Sequence, residues 1–100
     1  MLRPGCCPDV GGLRVLDAAP IPRFVLEHAH SARECGVVFA SFKAFESPLR
    51  HRLTVGSCVL GTHRIWWEVE AATADEALMQ LPRYVAARTT AIEVRNLRTP

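Results

Sequence analysis

Residues 23–30 read as an extended strand, whose side chains point alternately to two faces. Phe24, Leu26, His28 and His30 fall on one side of an extended chain, and Val25, Glu27 and Ala29 on the other. The pattern predicts a first strand whose buried stripe turns from hydrocarbon to imidazole at its end. Ser31 then stands three residues before Glu34, the spacing in which a helix start caps itself reciprocally. Cys35, Val38, Phe39, Phe42 and Phe45 recur at helical spacing, so one apolar helix face is predicted, ending at Ser47-Pro48 because the residue before a proline disfavours helix. Gly36 and the β-branched pair Val37-Val38 weaken helix propensity, but cap and spacing agree.

Residues 53–60 and 63–71 read as two strands joined by Gly61-Thr62, a glycine-first loop that suits a type II′ hairpin. That turn would pair Leu60 with His63, Cys58 with Ile65 and Gly56 with Trp67. A second capping pattern, Thr73-Ala74-Asp75-Glu76, opens a helix with Ala77, Leu78, Leu81 and Val85 on its face. Pro82 lies inside that helix and predicts a kink or a break with a second short turn. Alternation returns over residues 89–97 as a last strand. The order β-α-β-β-α-β predicts an α+β fold, a ferredoxin-like sandwich with a four-stranded antiparallel sheet and two helices on one face. Residues 1–20 hold Pro4, Gly5, Pro8, Gly11, Gly12 and Pro20 without a period, and read as a flexible tail before a domain at 21–100. The same contrast raises the expectation that the natural chain starts near Pro22.

Composition changes this picture little. One hundred residues, 49% hydrophobic and 22% charged, suit one globular domain. A formal net charge of +2 is too small to argue for nucleic acid, and no apolar run is long enough to span a membrane. Arg50-His51-Arg52, the densest basic cluster, reads as a solvated turn. The four cysteines, Cys6, Cys7, Cys35 and Cys58, match neither a zinc ribbon nor a Cys-x-x-Cys redox pair, and no export signal precedes them; free thiols in a reducing cytoplasm are expected.

In the predicted topology the end of the first strand lies beside the start of the third. Three imidazoles and a thiol, His28, His30, His63 and Cys35, then converge at one edge of the core. Imidazole nitrogen with one thiolate suits Zn²⁺ or Ni²⁺. Cys58, on the core face of the hairpin, reads as a small hydrophobe, and Glu34 as a capping partner. The opposite sheet face carries Val25, Glu27, Trp66 and Glu68, a mixture that suits a sheet-to-sheet homodimer.

The motifs Glu27-His28-x-His30, Glu34-Cys35-Gly36-Val37-Val38-Phe39, Ser47-Pro48-Leu49-Arg50, His63-x-Ile65-Trp66-Trp67 and Tyr84-Val85-x-x-Arg88-Thr89-Thr90 resemble short uncharacterised single-domain ferredoxin-like proteins of actinobacterial type. More distantly the layout is similar to the small nickel-responsive ferredoxin-like proteins and the dimeric α/β-barrel proteins. Those resemblances imply a dimer and, in the nickel case, a histidine-rich metal site. The expectation is a small cytoplasmic protein that binds a metal or a small molecule. The alternative is a cofactor-free monooxygenase or isomerase using a histidine base, which requires a cavity of roughly 300 Å³ beside those histidines.

Overall fold

The computed structural model describes residues 21–100, so the expected tail at 1–20, with Cys6 and Cys7, lies outside the described residues. The elements are β1 (Arg23–Ala29), α1 (Cys35–Ser41), β2 (Val55–Gly56), β3 (Arg64–Glu70), α2 (Ala74–Leu78), α3 (Arg83–Ala86) and β4 (Thr89–Val94). They form an α+β structure on a four-stranded sheet of order β2-β3-β1-β4, in which every neighbouring pair is antiparallel. β1 is central: Leu26 sits opposite Trp67 on one side and Ala91 on the other.

Alternation places the core. Phe24, Leu26 and His28 from β1 and Ile65, Trp67 and Val69 from β3 are buried, and Val38, Leu49, Ala77, Leu81 and Val85 close over them. Removing a side chain such as Leu26 from water stabilises the fold by about 1.5–3 kcal/mol. Pro82 breaks the second helical segment as expected. It removes a helical donor, and α3 restarts immediately after it at Arg83. Thr73 caps α2, its hydroxyl accepting from the Glu76 amide at 3.1 Å. No helix among the described residues is long and apolar enough to cross a membrane.

Three expectations are corrected. The first helical segment is not one continuous helix. It winds as a 3₁₀ turn at Ala32–Glu34, seven α-helical residues, then another 3₁₀ turn at Phe42–Ala44. So short a helix presents only about two turns to the sheet. Val38 is buried and Phe42 half-buried, whereas Phe39 stays 53% exposed.

The hairpin also differs. Cys58–Leu60 is a 3₁₀ turn, closed by Gly61 at φ 100°, in the left-handed region that glycine tolerates. The Ser57 amide donates to the Arg64 carbonyl at 2.8 Å, and the Arg64 amide to Ser57 Oγ at 3.1 Å. With the ladder closed there, β2 is two residues long. Its register is Val55 opposite Trp66 and Gly56 opposite Ile65, rather than Gly56 opposite Trp67. β4 likewise stops at Val94, short of Leu97.

Candidate metal centre

β1 delivers two histidines to the same end of the core. His28 is still within the ladder, opposite Ile65 and Thr89, and fully buried. His30 lies one step past the strand, where its amide donates to the His63 carbonyl at 3.1 Å. His63 itself occupies a left-handed backbone conformation, φ 53°, just before β3. Cys35 opens α1, and the Cys58–Leu60 turn presents Cys58 from the other side. The donor atoms of His30, Cys35, Cys58 and His63 all lie within 4.8 Å of one another. Each of the four residues is at least partly buried.

Three of the four expected ligands are therefore brought together, and one is exchanged. Cys58 enters the cluster in place of His28. Given the hairpin register, Cys58 looked like a filler of the core face; the 3₁₀ turn lifts it off the strand and towards His30. His28 is held back because it faces Ile65 inside the sheet, leaving its ring only the neighbours on either side.

Those neighbours determine its protonation. The Thr89 hydroxyl donates its one proton to the Val85 carbonyl at 2.7 Å, so it can only accept from His28 Nδ1, 3.0 Å away. Burial first, then the neighbouring charge of His30, pushes the His28 pKa below 6.5 and favours the neutral ring. With its proton on Nδ1, His28 accepts at Nε2 from His30 Nδ1 at 3.0 Å. Burial and then His63 lower the His30 pKa as well. His30 is thus left with a bare Nε2, and that atom lies 3.6 Å from Cys58 Sγ. The relay Val85–Thr89–His28–His30 performs what outer groups do around metal-binding histidines: it fixes the tautomer and aims the free lone pair.

His63 Nδ1 is buried and has no hydrogen-bond partner among the described residues. A buried, unsatisfied ring nitrogen costs about 1–3 kcal/mol unless something completes it. The two thiols are free, and the Cys58 pKa is raised by burial and then by the neighbouring Cys35.

Comparison with protein-family models, with curated proteins and with solved structures returns no match.

Glu34 does more than cap. Its Oε1 accepts from the Ser31 amide at 2.9 Å, as the sequence pattern anticipates. Its Oε2 accepts from Arg88 Nε at 3.1 Å and from the Tyr84 hydroxyl at 3.2 Å, and Arg88 stacks 3.7 Å from the Tyr84 ring centroid. The Ser31 amide, then the Arg88 guanidinium, hold the carboxyl down to a pKa of about 2. The network pins the start of α1, and with it Cys35, to α3. Tyr84, Arg88 and Thr89 carried no site signal of their own in the sequence, since their partners lie 50 residues or more away.

The other expected face is placed as follows. Val25, Glu27 and Trp66 are half-buried and Glu68 exposed on the outer side of the sheet. Glu27 pairs with Arg64 and Glu68 with Arg23, each at 3.2 Å. The ladder aligns Val55 with Trp66 and Ile92 with Val25 on that side.

Proposed function

We propose that this protein binds one Zn²⁺ through His30, Cys35, Cys58 and His63, in a closed site that ties β1, α1 and the turn before β3 together. The observation that carries the proposal is the convergence of two thiols and two imidazoles within 4.8 Å. Two thiolates with two imidazoles make a tetrahedral Zn²⁺ donor set, which favours zinc over the square-planar preference of nickel. Tetrahedral geometry with Zn–S ~2.3 Å and Zn–N ~2.05 Å sets neighbouring S and N atoms about 3.6 Å apart. The Cys58 Sγ to His30 Nε2 separation of 3.6 Å equals that edge. Four protein ligands leave no open position, so the metal's role in this reading is to hold structure.

The enzyme alternative is less well supported. One cavity, of about 300 Å³, is lined by Phe42, Trp67 and their neighbours, a second, of about 460 Å³, lies by Arg23 and Glu70, and none of His28, His30 and His63 borders either. A ferredoxin-like topology belongs to the same proposal, supported by a strand order that reads 4-1-3-2 from the β4 edge. So does a sheet-to-sheet homodimer, supported by the apolar row Val55, Trp66, Val25 and Ile92 between the Glu27–Arg64 and Arg23–Glu68 ion pairs.

Zinc content after purification, followed by Co²⁺ substitution, tests the site. One metal per chain with the absorption of a tetrahedral S₂N₂ cobalt centre is expected. Cys58→Ser or His30→Ala abolishes it. His28→Ala keeps the stoichiometry and weakens affinity about 10–100-fold, the usual cost of losing an orienting partner. A wild-type chain that takes up no zinc, or a Cys58→Ser chain that binds it unchanged, refutes the proposal.

A further inference from the structure

Beside Trp67 the core opens into a groove of about 300 Å³ that none of the clustered histidines lines. Its floor is apolar: Phe42 packs on Trp67 with ring centroids 6.0 Å apart, and Leu49 and Ile65 complete the base. Phe39, 53% exposed on α1, stands as a wall beside them. The rim has a different chemistry. Lys43, Arg50, His51 and Arg52 border the opening, and no carboxylate lines it. Arg50 meets Glu46 only at 3.8 Å, with the Glu46 side chain 97% exposed, a pairing that solvent largely screens. Lys43 and Arg52 form no ion pair among the described residues.

We infer that this groove binds an aromatic carboxylate, its ring system laid against Phe39, Phe42 and Trp67 and its anionic head held by Lys43 and Arg52. Three aromatic side chains offer edges and faces to a flat apolar body, and the volume meets the lower bound of small-molecule sites. A neutral ligand would satisfy the floor and waste the rim; a cation would be repelled by it. An inorganic anion would gain from the rim alone and leave the floor wet. Only an apolar body with one negative group uses both. The inference is independent of zinc, because no residue of the groove is a proposed ligand.

The test uses three probes of one shape: 2-naphthoate, naphthalene-2-methanol and naphthalene-2-methylamine. Each is titrated into the full chain, with and without zinc, by calorimetry and by NMR of the Trp67 indole. Saturable 2-naphthoate binding that shifts Trp67, about tenfold tighter than the alcohol, is expected because a charge-assisted contact is worth about that factor. The amine should bind more weakly than the alcohol. Both rim residues are exposed, so Lys43→Gln/Arg52→Gln folds normally; it should erase the preference for the carboxylate and leave alcohol binding intact. Equal affinity for the three probes, a preference that survives the double substitution, or shifts confined to residues away from Trp67 would each overturn the inference.

Discussion

Two long crossings link the central strands and the edge strand β4: residues 30–63 from β1 to β3, which take in the two-residue β2, and residues 71–88 from β3 to β4. In the second crossing Ala77, Leu81 and Val85 are at most 2% exposed and fill the core. In the first, Val38 and Leu49 do so, while Val37, Phe39, Leu53, Val59 and Leu60 remain outside, Leu53 completely. The second crossing is held by burial. The first is held by polar links: Ser47 Oγ donates to the Gln80 carbonyl at 2.6 Å, and Glu34 reaches Arg88 and Tyr84. The four proposed ligands bracket this first crossing, His30 and His63 at its two ends and Cys35 and Cys58 just inside. A segment with little buried hydrocarbon is where a metal cross-link contributes most, because closing a loop removes entropy that burial has not already removed.

The comparison can be broken in several ways. Zinc at a thousandfold excess over its dissociation constant should stabilise the protein by about 4 kcal/mol. In hydrogen exchange the gain in protection should be largest over residues 30–63, where local opening adds to global unfolding, and smaller over 71–94; equal gains would mean the two crossings do not differ. Leu81→Ala, in the second crossing, should cost roughly 2–5 kcal/mol in denaturant unfolding, as large-to-small core changes do. Ser47→Ala should cost about 1–3 kcal/mol, because it orphans the buried Leu49 amide, which donates to Ser47 Oγ at 3.0 Å.

Acidification of the metal-free protein should weaken it in two steps. The His28 and His30 pKa values are lowered in the fold, so the unfolded chain binds the extra protons. The stability tied to neutral rings is therefore complete above 6.5 and lost as pH falls below it. The carboxylate of Glu34, lowered from 4.5 to about 2, loses its contribution across that lower interval. Circular dichroism against pH separates the steps, and Glu34→Gln should erase the second alone. Leu53→Ala, the same chemical change as at Leu81 but at a fully exposed position, should stay within about 0.5 kcal/mol of wild type.

Much of this was legible in the sequence because local rules and tertiary packing agree there. The alternation of Phe24, Leu26, His28 and His30, the caps at Ser31 and Thr73 and the break at Pro82 depend on near neighbours. The failures lie where a turn had two physically sound solutions. Gly61 can serve a two-residue hairpin or end a 3₁₀ turn, since both use its positive φ; Ser57, hydrogen-bonded to Arg64, selects the second. That choice moved Cys58 from the core face of the predicted hairpin to the His30, Cys35 and His63 cluster. Parity identified His28 and His30 as sharing a face but not which one lies beyond the ladder. His28 faces Ile65, whereas His30 is past the final strand pair, so only His30 reaches the thiols.

The central position of β1 has a consequence for the order in which this protein assembles. Both its partners are made later: Arg23 pairs with Glu70 and with Val94. A nascent chain emerging from its N-terminus must keep Phe24 and Leu26 unpaired until β3 has appeared, and the sheet cannot be completed until β4 has followed it. Such distant pairings fold slowly. His30 and Cys35 likewise wait for Cys58 and His63, so the proposed zinc site can form once β1 and β3 meet, ahead of the closing strand that supplies Thr89. Metal capture would then precede the imidazole relay that tunes it.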